Sequence, residues 1–401
     1  VLVVGGGAAG YFFAINAAEA NRSLTVAILE KQQAPLAKVR VSGGGRCNVT
    51  NACADPRELI SFYPRGGKEL LPLFHRFNTT HTVAWFAGRG IKLKTERDGR
   101  IFPLSNSSQT IIDCFSHEAE RLGIKVFLKT EIKQLMQHST GWRIETNREE
   151  EFTGKFIFMG AGASQSIWSV LKGLGHRIVA PVPSLFSFQS KSPVLNGLSG
   201  VAVPDVRLSA CGASTSGPLL ITHTGISGPV VLRLSAWAAR ELADCTYRFT
   251  CTVNFTGCKN DEQAAQLLEK IKQENAFRVV LTHQLFGIPS RLWERLVAQA
   301  GIAADKKWHM LSKAKLRELA RLLFALQLVV DGKSTNKEEF VTSGGVDRKE
   351  IDWKRMESKI LPGLFLGGEI IDIDAVTGGF NFQAAWTTAF IAAQAAASPR
   401  G

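Results

Sequence analysis

Six residues near the start of the chain, Gly5-Gly6-Gly7-Ala8-Ala9-Gly10, have the types and spacing to hold a pyrophosphate. In a G-x-G-x-x-G turn, Gly5 makes the sharp bend and Gly7 lets the main chain approach the phosphates. Gly10 lets a helix lie close to the strand before it. Ala8 and Ala9 open that helix, whose free N–H groups and positive dipole end suit an anion. Glu30 stands where a carboxylate takes a ribose hydroxyl and repels a 2′-phosphate, and Lys31 beside it is grouped with the same site. The ligand expected from this pattern is FAD or NAD rather than NADP, and the fingerprint alone does not choose between the two.

Other segments could add to the site. Ser42-Gly43-Gly44-Gly45-Arg46-Cys47-Asn48 offers consecutive unhindered amides and one guanidinium, which suits either an anion-binding loop or a glycine-rich surface turn. Gly160-Ala161-Gly162 follows an apolar run but has Gln165 where a third fingerprint glycine would stand, so only one complete fingerprint exists. The candidates for chemistry are few. Cys47 is either a redox thiol or, lacking a partner cysteine, a packed one. His223 is either a proton donor or part of a turn before a helix that starts at Pro229. Arg46 and Arg100 could clamp a carboxylate or phosphate. No metal site is expected.

The elements that must position these residues follow from periodicity. Val1 to Val4 reads as a strand, Ala8 to Ala20 as a helix, and Leu24 to Leu29 as a second strand ending at Glu30. A helix over about Ser108 to Leu122 carries Ile112, Phe115 and Ala119 on one face, with Gly123 as its C-terminal cap. Strands recur at Lys125 to Leu128, Trp142 to Thr146 and Lys155 to Met159. From about Ser184 the texture turns β-rich. Between Asp261 and Leu326 it turns helical, with Leu316, Leu319 and Leu323 at amphipathic spacing.

At 401 residues and 45% hydrophobic composition the chain can bury a large core and divide into two or three domains. No window resembles a signal peptide, the missing initiator methionine suggests a short absent start, and no stretch is apolar enough to span a bilayer. Seven cysteines without a C-x-x-C pair argue against a disulfide framework and a dithiol oxidoreductase and suit a reducing cytoplasm. The net charge of +13 could serve nucleic acid, membrane surfaces or anionic ligands. The basic residues are scattered without an aromatic-interleaved block, so nucleic acid and membrane are not the expected partners.

Three separated segments resemble the bacterial aminoacetone-oxidase-like (BaiN-like) FAD-binding flavoproteins. They are GGGAAG at the start, SGGGRCNVTN at Ser42 to Asn51, and GLFLGGEIIDIDAVTGGFNFQAAW at Gly363 to Trp386. DGRIFP, THTGISGP and TSGGVD also match in the family's order, so the likeness covers nearly the whole chain. One departure is the short Ala163 to Ile167 stretch, where the family has a longer loop bearing glycine and tyrosine. The resemblance implies that FAD, bound non-covalently, is contacted by Ser42 to Asn48. It implies further contacts from Ala161, Gly162, Gly368 and Glu369, and from Gly379, Phe380, Asn381 and Gln383 at the start of the last helix. Ile132 is implied to reach the adenine through its backbone.

The fold expected is α/β, a glutathione-reductase-like FAD-binding Rossmann domain with an inserted β-barrel-like domain that carries a small helical subdomain. The expected boundaries are 1–184 and 342–401 for the FAD domain, 185–258 and 327–341 for the β-rich insert, and 259–326 for the helical insert. The expected function is flavin-mediated hydride transfer involving NADH or NADPH and a small amine or unsaturated carbonyl compound. The alternatives are an RNA-modifying flavoprotein and a non-catalytic flavin-binding sensor.

Overall fold

Short runs of purely apolar residues cannot face water on either side, and they assemble into a parallel sheet covered on both faces. In the computed structural model, which describes residues 1–334 and 341–398, these runs are β1 (Leu2–Val4), β2 (Ala27–Leu29), β4 (Ile157–Met159) and β5 (Leu364–Leu366), and they are joined by the edge strand β3 (Lys125–Phe127), whose Lys125 is exposed. Val3 pairs with Ile28 on one side and with Phe158 on the other, and Phe158 pairs with Phe365. The strands lie in the order β3-β2-β1-β4-β5, extended past β5 by the antiparallel pair Glu357–Ser358 and Ile351–Asp352. Strand order reverses between β1 and β4. In such Rossmann-type sheets the crevice beyond the carboxyl ends at that reversal is where ligands bind. The second strand is shorter than the expected Leu24 to Leu29; the sheet pairing covers only the fully apolar end of that run.

Two helices, α1 (Ala8–Ala20) and α2 (Phe380–Ala397), are buried along most of their length. Their alanines allow close approach, and their aromatics fill what remains. Phe13 stacks on Phe158 at 4.1 Å between ring centroids, while Phe12 packs against Trp85 at 4.6 Å and Trp386 at 5.1 Å. The Trp386 indole N–H donates to the Val49 carbonyl at 2.9 Å, so a large ring is buried without an orphaned donor. Just before α2, the buried Arg65 guanidinium bonds both carboxylate oxygens of Asp374 and fixes the entry of the chain.

The chain divides into two compact units, Val1–Val182 with Lys337–Gly401, and Pro183–Asn336. The second unit has a seven-stranded antiparallel sheet in the order Leu326–Val330, Phe249–Asn254, Ala202–Ala210, Ala213–Ile221, Gly225–Ser227, Ser187–Gln189 and Gly332–Ser334. Helices Asp261–Glu274, Ser290–Gln299 and Lys313–Phe324 belong to this unit, and Leu316, Leu319 and Leu323 are buried in its core. Residues 335–340 of the expected 327–341 segment, and 399–401 of the last one, lie outside the described residues.

Candidate functional site

The turn after β1 is built around three glycines with different jobs. Gly5 has φ +97°, and a Cβ there would sit 2.7 Å from Ala161 Cα, so the bend tolerates no side chain. A Cβ on Gly10 would fall 1.9 Å from the Gly5 carbonyl oxygen, which is how closely α1 crosses the turn. Gly7 differs. The nearest atom to a Cβ there is the Gly160 carbonyl oxygen, 3.9 Å away. Space over Gly7 is therefore open to a ligand. Ala8, Ala9 and Gly10 form the first turn of α1, whose N–H groups have no intrahelical acceptor, and Gly7 supplies no side-chain cap.

Glu30 closes β2 beside this turn. Its Oε2 accepts the Gly6 N–H at 2.7 Å and its Oε1 accepts the Gln32 N–H at 2.7 Å. The carboxylate is thus held in place, and each oxygen keeps acceptor capacity for a hydroxyl. Lys31 is exposed. Ile132, buried, opens the strand Ile132–His138, and the nearby Thr130 N–H donates to the Glu30 carbonyl at 2.9 Å.

The Ser42 loop is tied to the same place by the Leu36 N–H, which donates to the Gly6 carbonyl at 2.9 Å. A helical turn from Ala37 breaks at Ser42, whose hydroxyl donates to the Val39 carbonyl at 3.0 Å. Gly43, Gly44 and Gly45 then all take left-handed φ. Gly43 faces the Phe102 ring, whereas nothing lies within 4 Å of a Cβ on Gly44 or Gly45. The Arg46 guanidinium bonds Glu96 at 2.6 Å and lies 4.0 Å over the Phe102 ring, and Arg100 bonds Asp98 at 2.7 Å and Glu96 at 3.2 Å. Both charges are matched by carboxylates in this structure. Cys47 is fully buried and its thiol is pushed up to about 12 by burial, so it packs as a small hydrophobe rather than a redox thiolate.

The chain end joins the same region. A Cβ on Gly162 would lie 3.6 Å from Glu369 Oε2, and one on Gly368 would lie 3.3 Å from Ala9 Cβ and 3.6 Å from Ala385 Cβ. The Gly368 N–H donates to the Thr388 hydroxyl at 2.9 Å. Lys38 bonds Glu369 across a sequence separation of 331, a pairing that no local spacing signals. Gly379, at φ +92°, caps α2. A Cβ there would lie 2.4 Å from the Thr50 carbonyl oxygen. With its amide turned to satisfy both ends, Asn48 donates to the Thr50 carbonyl at 3.0 Å and accepts the Gly379 N–H at 2.9 Å.

The side chains of Phe380, Asn381 and Gln383, three residues implied to contact the cofactor, hold the start of α2. Phe380 stacks on Phe62 at 4.2 Å, and its carbonyl accepts the Tyr63 hydroxyl at 2.6 Å. Asn381 accepts the Ala375 N–H at 2.9 Å and donates to the Ala375 carbonyl at 3.0 Å. Gln383 is fully buried, accepts the Thr50 and Thr82 hydroxyls and donates to Thr387. What this stretch leaves for a ligand is the N–H set of the first helical turn. His223 belongs to the second unit, in an exposed turn where the Thr222 N–H donates to the Gly225 carbonyl at 2.8 Å. Among the described residues, no cluster of three or more His, Cys, Asp or Glu could hold a metal ion, and no helix is long and apolar enough to cross a membrane.

Burial sets a pH dependence. The Cys47 thiol, ordinarily near 9.0, and the Tyr11 phenol, ordinarily near 10.0, are both pushed up to about 12, chiefly by burial. A folded pKa above the unfolded one gives stability that is fully present below the unfolded value and lost as pH rises toward the folded one. Stability should therefore fall above about pH 9, by about 1.4 kcal/mol per pH unit for Cys47 alone. Urea midpoints from pH 8 to 11 measure this. In the native protein at pH 8, iodoacetamide should label exposed Cys211 and spare Cys47.

Similarity to known proteins is broad. Residues 1–395 match the family model described as HI0933-like protein Rossmann domain. The ribosomal RNA dihydrouridine synthase of Escherichia coli K12 is 29% identical over 409 residues, covering 98% of this chain and 96% of that protein. The 3-dehydro-bile acid delta(4,6)-reductase of Clostridium scindens is 27% identical, covering 98% of each. Among solved structures, the 3-ketosteroid-delta4-(5alpha)-dehydrogenase of Rhodococcus jostii RHA1 covers 99% of this chain and 96% of its own, with a TM-score of 0.53 at 12% identity, a likeness of fold.

Proposed function

This chain belongs to the HI0933-like Rossmann-domain family, and from that premise we propose that it is an FAD-dependent oxidoreductase reducing a carbon–carbon double bond conjugated to a carbonyl. The observation that carries the reading is the gathering of uncovered backbone N–H groups at one end of the sheet. They come from the first turn of α1 and the first turn of α2, and the side-chain-free surface of Gly44 and Gly45 adjoins them.

The fit to FAD rests on that cradle. Gly7 leaves room over the turn, Gly44 and Gly45 present no side chains, and no side chain caps either helix. In this reading the amides of Ala8 to Gly10 bind the pyrophosphate, Glu30 takes the ribose hydroxyls, and the Ile132 backbone meets the adenine. Glu369, steadied by Lys38, holds the ribityl chain. The N-terminus of α2 lies against the electronegative edge of the ring, where its dipole favours added negative charge. Bound FAD supplies the two-electron redox chemistry, and the protein supplies position and electrostatics.

The substrate class follows from what the relatives' names share. Making dihydrouridine saturates a pyrimidine double bond conjugated to a carbonyl, and a 3-dehydro-delta(4,6) reductase acts on a double bond conjugated to a ketone. The net charge of +13 favours the polyanion, so uridine in RNA is the proposed substrate, with NADH or NADPH as donor. This adopts the alternative of an RNA-modifying flavoprotein over a small amine substrate. The test is anaerobic: NADH or NADPH should bleach the bound flavin, and added ribosomal RNA should restore its colour while a uridine gains two hydrogens. Bleaching with no reoxidation by RNA, but rapid reoxidation by an unsaturated ketone, would overturn the RNA substrate. A flavin that neither cofactor bleaches would leave the sensor reading.

A further inference from the structure

We propose that an exposed ladder in the helical part of the second unit, residues 276–280 against 306–310, is the surface that grips single-stranded RNA. The inference rests on the reading of RNA as substrate. It adds the place on this chain where the strand is held.

The ladder is well defined. Val279 bridges Lys307 antiparallel, the Val280 N–H donates to the Lys306 carbonyl at 2.9 Å, and the Trp308 N–H donates to the Arg278 carbonyl at 3.1 Å. Trp308 turns inward, is fully buried, and donates its indole N–H to His283 at 3.0 Å. Trp308 opens a single 3-10 turn, Trp308–Met310, and its neighbours Lys307 and His309 are exposed.

Of those exposed neighbours, His309 meets the Ala276 carbonyl through Nδ1 at 2.7 Å, while the large apolar side chains are left in water. Phe277 is 80% exposed, the highest value for any large hydrophobic side chain among the described residues, and Met310 is 50% exposed. The Phe277 and His309 rings lie 5.3 Å apart. Arg278 and Lys307 are exposed and Lys306 is half-buried, and among the described residues none of the three forms an ion pair with a carboxylate. The expected helical insert, 259–326, carries twelve Lys and Arg against seven Asp and Glu.

An aromatic face kept in water beside unpaired cations is costly to leave uncovered and matches one chemistry closely. Bases stack on the ring while phosphates meet the cations, the arrangement by which proteins hold unpaired strands without reading sequence. Two exposed apolar side chains are too few to insert into a bilayer, and a polyanion answers the charge better than a neutral protein face.

The experiment uses the FAD-loaded protein and a uridine-rich single-stranded RNA in filter binding at several salt concentrations. Phe277→Ala should weaken binding about ten-fold, whereas Phe277→Trp should retain it. Arg278→Glu with Lys307→Glu should weaken binding at least about ten-fold and flatten the salt dependence. Flavin content and NAD(P)H oxidation should stay unchanged in all three, which separates loss of grip from loss of fold. Wild-type affinity in every variant would overturn this surface while leaving the RNA substrate standing. Failure of the unaltered protein to bind RNA at low salt would overturn both. Loss of binding to phosphatidylserine vesicles with RNA binding intact would assign the ladder to a membrane and overturn the proposal.

Discussion

Gly7→Val should yield a folded protein that has lost its yellow cofactor. A Cβ at this position meets no protein atom closer than the Gly160 carbonyl oxygen at 3.9 Å, so the valine finds room in the free chain. Its φ is −89°, which any residue adopts. The side chain would instead occupy the volume over the turn that the account gives to the pyrophosphate. Overlap there should cost about 3 kcal/mol of binding, which is about a hundred-fold in affinity. Absorbance of the purified variant in the blue, with and without added FAD, measures the loss, and an unchanged circular dichroism spectrum certifies the fold. Stoichiometric flavin in this variant would show that the turn does not face the cofactor.

Gly10→Ala should do the opposite, damaging the fold first. One methyl group here would sit 1.9 Å from the Gly5 carbonyl oxygen, deep inside contact distance, and its other neighbour is the Val3 side chain at 3.3 Å. Neither backbone can yield without moving α1 off the sheet, where Phe13 stacks on Phe158. The expected loss is about 3 kcal/mol of stability, with cofactor retention falling as a consequence. Urea denaturation gives the first number and flavin content the second. A variant as stable as the parent would mean that helix and strand are not in the contact described. Together the two substitutions separate a glycine needed by the ligand from a glycine needed by the protein, three residues apart in one motif.

The parts of the site that could be read from the chain are those whose physics is local. The turn Gly5 to Gly10, the helix behind it and the acid at Glu30 are consecutive, and their spacing dictates their geometry. The run Ser42 to Asn48 announces a break in regular structure by its glycines alone. Other roles depend on partners that spacing cannot supply. Gln383 looks like a polar residue opening a helix near a ligand, but Thr50 and Thr82, more than 300 positions away, saturate its amide in the core. Arg46 and Arg100 look like free cations until Glu96 falls between them. Lys38 drew no notice because its partner, Glu369, is brought beside it only by the strand order of the sheet. The same limit applies to the exposed ladder. Phe277 and His309 are unremarkable in sequence and meet only when two irregular segments pair.

Hydrogen exchange of the amides, measured on apo-protein with and without saturating FAD, reports whether the three backbone segments meet the cofactor. Exchange should slow in three separated peptides, those spanning Ala8 to Gly10, Gly44 to Gly45 and Phe380 to Phe382, with little change in the helices of the second unit. Protection confined to one of these peptides, or absent from all of them while FAD is bound, would contradict a shared contact with the cofactor.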